Sequence, residues 1–177
     1  MNDVNENKTF DTAYNTFYRP IYTFSFSMLG NAEEAEDISQ ETFMKLYNHL
    51  SQHPPLENTK NWLYRVASNF CINHIRRQNI FRKILSRTAD PENRRVHHPS
   101  GRNPVERDFI REQEIEMVRN ALDKLPKREQ ALLILYRDKF SYADMAEILD
   151  MKKTSVGKIL SRAREKLARE IRKGEKK

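Results

Sequence analysis

Residues 141–167 read SYADMAEILDMKKTSVGKILSRAREKL, two amphipathic segments separated by a polar turn. Ser141 is a candidate N-cap, with Asp144 at the position of a capping-box acid. The first helix then buries Met145, Ala146, Ile148 and Leu149. Asp150, Met151, Lys152 and Lys153 make the turn, and Thr154 or Ser155 caps a longer second helix. On that helix Val156, Leu160, Ala163 and Leu167 recur at helical spacing and form one apolar face. Thr154, Lys158, Ser161, Arg162 and Glu165 lie roughly opposite. From Lys152 to Lys177 there are eleven Lys or Arg against three Glu. A helix-turn-helix needs this arrangement, because its second helix enters the major groove by its early turns. A plain amphipathic hairpin with a solvated basic face has the same pattern, so the stretch alone leaves both readings open.

The rest of the chain sets the context. With 177 residues, four Gly and few β-branched runs, the composition predicts an all-α protein of one domain or two small ones. No apolar run approaches the ~20 residues of a membrane span, so no direct membrane insertion is expected. The N-terminus lacks the order of a signal peptide, and Cys71, the one cysteine, permits no internal disulfide; a cytoplasmic protein is expected. The net charge of +7 is uneven. Residues 1–75 carry five basic and nine acidic side chains, residues 76–107 nine and three, and residues 108–177 eighteen and thirteen. An acidic front and a basic back suggest two partners, a basic protein surface and a polyanion.

Upstream of the hairpin, Phe10, Tyr14, Phe17, Tyr18, Ile21, Phe24 and Met28 form an aromatic stripe, with Pro20 predicting a bend or a helix restart. Gly30 ends it. Asn31 caps a helix over 32–50, with Glu34 at the capping-box position. That helix is expected to bury Ala35, Ile38, Phe43, Leu46, Tyr47 and Leu50 and to expose Glu34, Asp37, Gln40, Glu41 and Lys45, either a solvated face or a docking face for a basic helix. After the break at His53-Pro54-Pro55, Thr59 can cap a helix over 60–77. Its Trp62, Leu63, Val66, Ala67, Phe70 and Ile75 share a face, and its Arg65, Asn69, Asn73, Arg76 and Arg77 fall on others; aromatics beside Asn and Arg suit single-stranded DNA, where rings stack bases and cations hold phosphates. Trp62 and Phe70 fit a core equally well. Periodicity fades from Gln78 to Asn103, apart from a short helical piece over 80–85 that can extend the preceding domain, and this Pro-punctuated, Arg-rich stretch reads as a linker. His97 and His98 have no further ligand at metal spacing. A helix resumes through Ile110, Ile115, Val118, Leu122 and Leu125, Pro126 stops it, and another over 129–139 buries Leu132, Leu133, Leu135 and Tyr136. Nothing resembles a phosphate loop, metal motif or nucleophile constellation, which argues against an enzyme; no catalytic residue, metal or cofactor is assigned.

Taken in order, these segments resemble the group 4, extracytoplasmic-function sigma factors of the bacterial sigma-70 family. Residues 35–43 (AEDISQETF) are similar to the family's D-x-x-Q-E-x-F signature. Residues 62–69 (WLYRVASN), with Asn73, Arg76 and Arg77, resemble its W-L-x-x-I-A-x-N segment. Leu125-Pro126 followed by residues 141–149 resembles the opening of sigma-4, and Arg162-Ala163-Arg164 matches the R-A-R of its last helix. The likeness covers nearly the whole chain except residues 1–9 and the linker.

The resemblance implies two small helical domains on a flexible linker: a sigma-2-like unit over 1–85, a linker over 86–104 and a sigma-4-like unit over 105–177. It implies that Asp37, Gln40 and Glu41 bind the β′ clamp helices of RNA polymerase core, and that Asn69, Asn73, Arg76 and Arg77 read and melt the −10 element. Lys153, Thr154, Ser155, Lys158, Ser161 and Arg162 would read the −35 element. The β flap, promoter DNA and an anti-sigma factor are the other implied partners. The chain departs from the family at Asp150, where a Gly is common, at Gly157, where a long side chain is common, and at Gln130, where Arg is common. A stand-alone helix-turn-helix regulator is the alternative, and a merely basic helical adaptor a third reading.

Overall fold

The computed structural model describes residues 2–54, 56–88 and 106–174, and among them every regular element is a helix. In chain order these are α1 (Asn2–Leu29), α2 (Ala32–Leu50), α3 (Thr59–Thr88), α4 (Glu106–Asp123), α5 (Lys127–Arg137), α6 (Tyr142–Ile148) and α7 (Lys153–Gly174). None of them is long and apolar enough to cross a membrane.

Three helices make the N-terminal unit. Ile21, Phe24 and Met28 of α1 meet Ala35, Ile38, Phe43, Leu46 and Leu50 of α2 and Leu63, Ala67 and Cys71 of α3, all buried; each large apolar side chain among them contributes about 1.5–3 kcal/mol. Phe43 is the hub, with Tyr14 edge-on at 5.1 Å and Tyr18 at 5.8 Å. Buried Ser39 and Thr42 are tolerated because their hydroxyls donate to the carbonyls of Ala35 and Ile38 one turn back.

Several expectations change here. α1 passes through Pro20 without a restart; proline removes one amide donor and leaves the rest of the ladder intact. Asn31 caps α2 by accepting from the N–H groups of Glu33 and Glu34, but the Glu34 carboxylate turns away from the cap. It accepts from Gln78 Nε2 and lies 3.3 Å from His74 Nε2, tying α2 to α3. Asn58, not Thr59, caps α3, its Oδ1 accepting from the N–H of Asn61. α3 is continuous to Thr88, so the piece over 80–85 is its extension and the helix enters the stretch read as linker. Tyr47 is exposed rather than buried. The linker's remainder, with His97 and His98, lies outside the described residues.

The C-terminal unit holds α4 to α7. Ala131, Leu132 and Leu135 of α5, Met145 and Ile148 of α6, and Val156, Leu160 and Ala163 of α7 are buried together; Leu167 is only half-buried. Tyr136 of α5 is exposed, its ring facing the Arg164 guanidinium at 5.7 Å, and Ile115 and Val118 of α4 are exposed as well. Gln130, the departure from Arg, is buried with its Oε1 accepting from Lys127 Nζ. α5 and α6 end alike. Phe140 N–H bonds Leu135 O and Lys139 N–H bonds Tyr136 O; Met151 N–H bonds Ala146 O and Asp150 N–H bonds Glu147 O. These are Schellman closures, with Lys139 (φ 62°) and Asp150 (φ 49°) in the left-handed position that glycine fills most easily.

The two units pack on each other. α5 touches α1 and α3, and α6 lies along α3. Tyr64 and Phe140 meet edge-on with centroids 4.6 Å apart, and Lys60 Nζ stands 4.2 Å from the Phe140 ring centre. Arg137 donates to Ser27 Oγ at 3.3 Å. Arg119 covers the Phe26 ring and presses on Gly30, whose φ of 75° closes α1.

Candidate nucleic-acid and partner interface

Three exposed faces carry the residues singled out in the sequence. The first is on α2. Asp37, Gln40 and Glu41 are all exposed, and among the described residues α2 packs only on α1 and α3. The same row continues into Met44 and Tyr47, which are 65% and 53% exposed. It is therefore acidic at its start and apolar at its end, a composition that fits a partner helix with cations and an apolar ridge. Sequence reading missed the apolar half because Tyr47, beside buried Leu46, was assigned inward.

The second face is on α3. Asn69, Asn73, Arg76 and Arg77 are exposed and lie at helical spacing along one side. Ile80 and Phe81, beyond the expected end of the helix, prolong this side and are 50% and 63% exposed. Trp62 and Phe70, the two aromatics with an open assignment, are half-buried against the core. Trp62 faces His49 at 5.4 Å, and Lys45 lies 5.5 Å from the Phe70 ring centre.

The third face is on α7. Lys153, Thr154, Lys158, Ser161 and Arg162 are exposed and Ser155 is half-buried. The helix begins at Lys153, one turn position earlier than expected, so Lys153 belongs to the first turn and neither Thr154 nor Ser155 is its cap. Ser155 N–H bonds Lys152 O. What holds the hairpin is the start of α6. Ser141 Oγ accepts from Asp144 N–H, and Asp144 Oδ2 accepts from Ser141 N–H and Oγ; the capping box is complete. Asp144 Oδ1 accepts in addition from Asn61 Nδ2 of α3 at 2.8 Å. The Asn61 amide, then the Ser141 hydroxyl, hold the Asp144 carboxyl below its usual 3.8. Gly157 faces Tyr142.

Among the described residues α7 touches only α4, α5 and α6, and the residues named on the three faces stay exposed or half-buried. An acidic face, an Asn/Arg face and a basic helix-turn-helix face on separate helices suit a protein that bridges another protein and DNA.

Comparison with known proteins finds two regions along the chain. Residues 13–80 match the family model of sigma-70 region 2, and residues 115–167 that of sigma-70 region 4. The chain is 30% identical over 161 residues to the RNA polymerase sigma factor YlaC of Bacillus subtilis, covering 90% of each chain. It is 29% identical over 155 residues to the ECF RNA polymerase sigma factor SigW of the same organism, covering 86% of this chain and 83% of SigW. In fold it resembles the sigma factor RpoE of Bartonella quintana, crystallised with the anti-sigma factor NepR, with a TM-score of 0.66 at 22% identity over 93% of this chain and 98% of that one. With two region matches in the right order and relatives aligned almost end to end, the chain belongs to the extracytoplasmic-function branch of the sigma-70 family of RNA polymerase sigma factors.

Proposed function

We propose how the three faces divide the work of this sigma factor. As a member of the family the chain is a non-enzymatic initiation factor that directs promoter-specific transcription with RNA polymerase core on promoter DNA. Residues 1–85 bind core enzyme and the −10 element, residues 86–104 link, and residues 105–177 bind the −35 element. On α2, Asp37, Gln40 and Glu41 engage the β′ clamp helices. On α3, Asn69 and Asn73 offer hydrogen bonds to unstacked bases while Arg76 and Arg77 hold phosphates. On α7, Lys153, Thr154, Ser155, Lys158, Ser161 and Arg162 enter the major groove, with Lys158 and Arg162 suited to guanine or phosphate. The sigma-4 unit meets the β flap. Its place of work is the cytoplasm, with the polymerase, and an anti-sigma partner like the one crystallised with RpoE is proposed as its restraint.

The observation that supports this most is the isolation of the α2 face: three polar residues held outward on a helix that the C-terminal unit never touches. The test is reconstitution with core polymerase on a promoter library, with sequencing of the start sites. Specific initiation by the chain, and loss of core association with Asp37→Lys/Glu41→Lys at unchanged melting temperature, is the expected result. Duplex binding without polymerase association would instead favour a stand-alone regulator.

A further inference from the structure

One row of α3 is shared between two surroundings. Asn61, Arg65, Asn69, Asn73 and Arg76 follow at intervals of a turn along the same side, and the row from Arg65 to Arg76 spans about 16 Å at 1.5 Å per residue. Asn69, Asn73 and Arg76 face solvent, whereas the start of the row is taken by α6. Asn61 is buried, and its Nδ2 donates at 2.8 Å to both Asp144 Oδ1 and Glu147 Oε2. Arg65 Nε donates at 3.1 Å to the backbone carbonyl of Glu147, in the last turn of α6.

These two contacts are unequal. Asn61 is satisfied by two carboxylates. Arg65 remains exposed, and its single hydrogen bond among the described residues goes to a neutral carbonyl, leaving both terminal amino groups of the guanidinium uncommitted. A bond from guanidinium to phosphate is charge-assisted and roughly twice as strong as one to a neutral acceptor. Arg65 also stands one helical turn from Asn69, where a backbone following the Asn/Arg face would continue.

We propose that Arg65 is a further nucleic-acid contact, a phosphate-binding cation that the closed chain parks on α6 and that a separated DNA strand takes over. The proposal rests on the reading of the α3 face as the −10 surface. Its consequence is coupling: a strand that captures Arg65 removes one of the bonds between α3 and α6. By reciprocity, whatever loosens α3 from α6 favours the strand, so weakening the α3–α6 contact elsewhere raises affinity for it.

The experiment uses the full chain and a fluorescein-labelled 20-nucleotide oligothymidylate, titrated by anisotropy over a salt series. Arg65→Ala is expected to weaken binding and to reduce the salt slope by about 0.7, the share of one phosphate on a single strand. Asn61→Ala leaves Arg65 in place but removes the two neighbouring bonds that hold α6 to α3, and is expected to tighten binding by about fivefold to tenfold, the lower part of the usual coupling range. Combining it with Arg65→Ala removes the gain. Should circular dichroism show that Asn61→Ala loses helix, Glu147→Ala, exposed and on the other side of the contact, replaces it with the same expectation. Unchanged affinity and slope in Arg65→Ala, alongside losses in Arg76→Ala, would overturn the role of Arg65 while leaving the α3 face standing. No loss in Arg65→Ala, Arg76→Ala or Arg77→Ala would overturn both.

Discussion

The ring of Tyr142, in the first turn of α6, lies over the backbone of Gly157 in α7, so that a Cβ at 157 would meet its Cε2 at 3.4 Å. The glycine in α7 thus has a packing neighbour in the helix before it. Because 3.4 Å is van der Waals contact rather than a clash, alanine fits there and restores helix propensity. Gly157→Ala is expected to stabilise the chain by about 0.5–1 kcal/mol, read as a melting temperature higher by roughly 1–4 °C. Gly157→Arg has to displace the Tyr142 ring and should gain less.

Asp150 and Lys139 occupy left-handed positions that most side chains resist. Asp150→Gly and Lys139→Gly should each raise stability by roughly 1 kcal/mol, since glycine removes the Cβ conflict. Asp150→Val should lower it by at least as much. Urea denaturation with unchanged slope would read this directly. The φ of 49° at Asp150 is one that glycine adopts without strain.

The pH behaviour of the contact between the units follows from Asp144. Its carboxyl is held below 3.8 by Asn61 first and Ser141 second. A depressed folded value means stability that is present above 3.8 and lost as pH falls through the folded value. Melting temperature should therefore drop on acidification below pH 3.8, and Asn61→Ala should flatten that part of the profile.

Cys71 is fully buried, and burial pushes its thiol up to about 12. A thiol reagent at pH 8 should leave the native chain unmodified and react with one equivalent in denaturant. The raised value contributes stability below the ordinary 9.0 that is lost as pH rises above it, so alkaline unfolding should begin beyond pH 9.0. Cys71→Ser, placing a hydroxyl in that site, should lower the melting temperature.

Much of this was legible in local chemistry. Asn31 marked the start of α2 and Ser141 with Asp144 the start of α6, because caps act within a turn. Where two capping residues stand side by side, as Asn58 and Thr59 do, only geometry decides which side chain reaches the amide of Asn61. Pro20 and the weak periodicity of 78–88 pointed to breaks that do not occur, since one missing donor or a polar stretch does not end a helix already anchored by packing. The bonds from Asn61 to Asp144 and Glu147 span more than eighty residues and leave no trace in spacing. The three faces were legible because solvent-facing residues keep their polarity; their separation, and the apolar end of the α2 row, required the fold.

The seclusion of α2 from α4–α7 also has a bearing on the order of events. An enzyme that grips this outer helix meets a handle already on offer while the halves are still clasped. On that proposed role recruitment needs no prior rearrangement, and any separation of the α3 and α7 faces would follow capture on the polymerase rather than precede it.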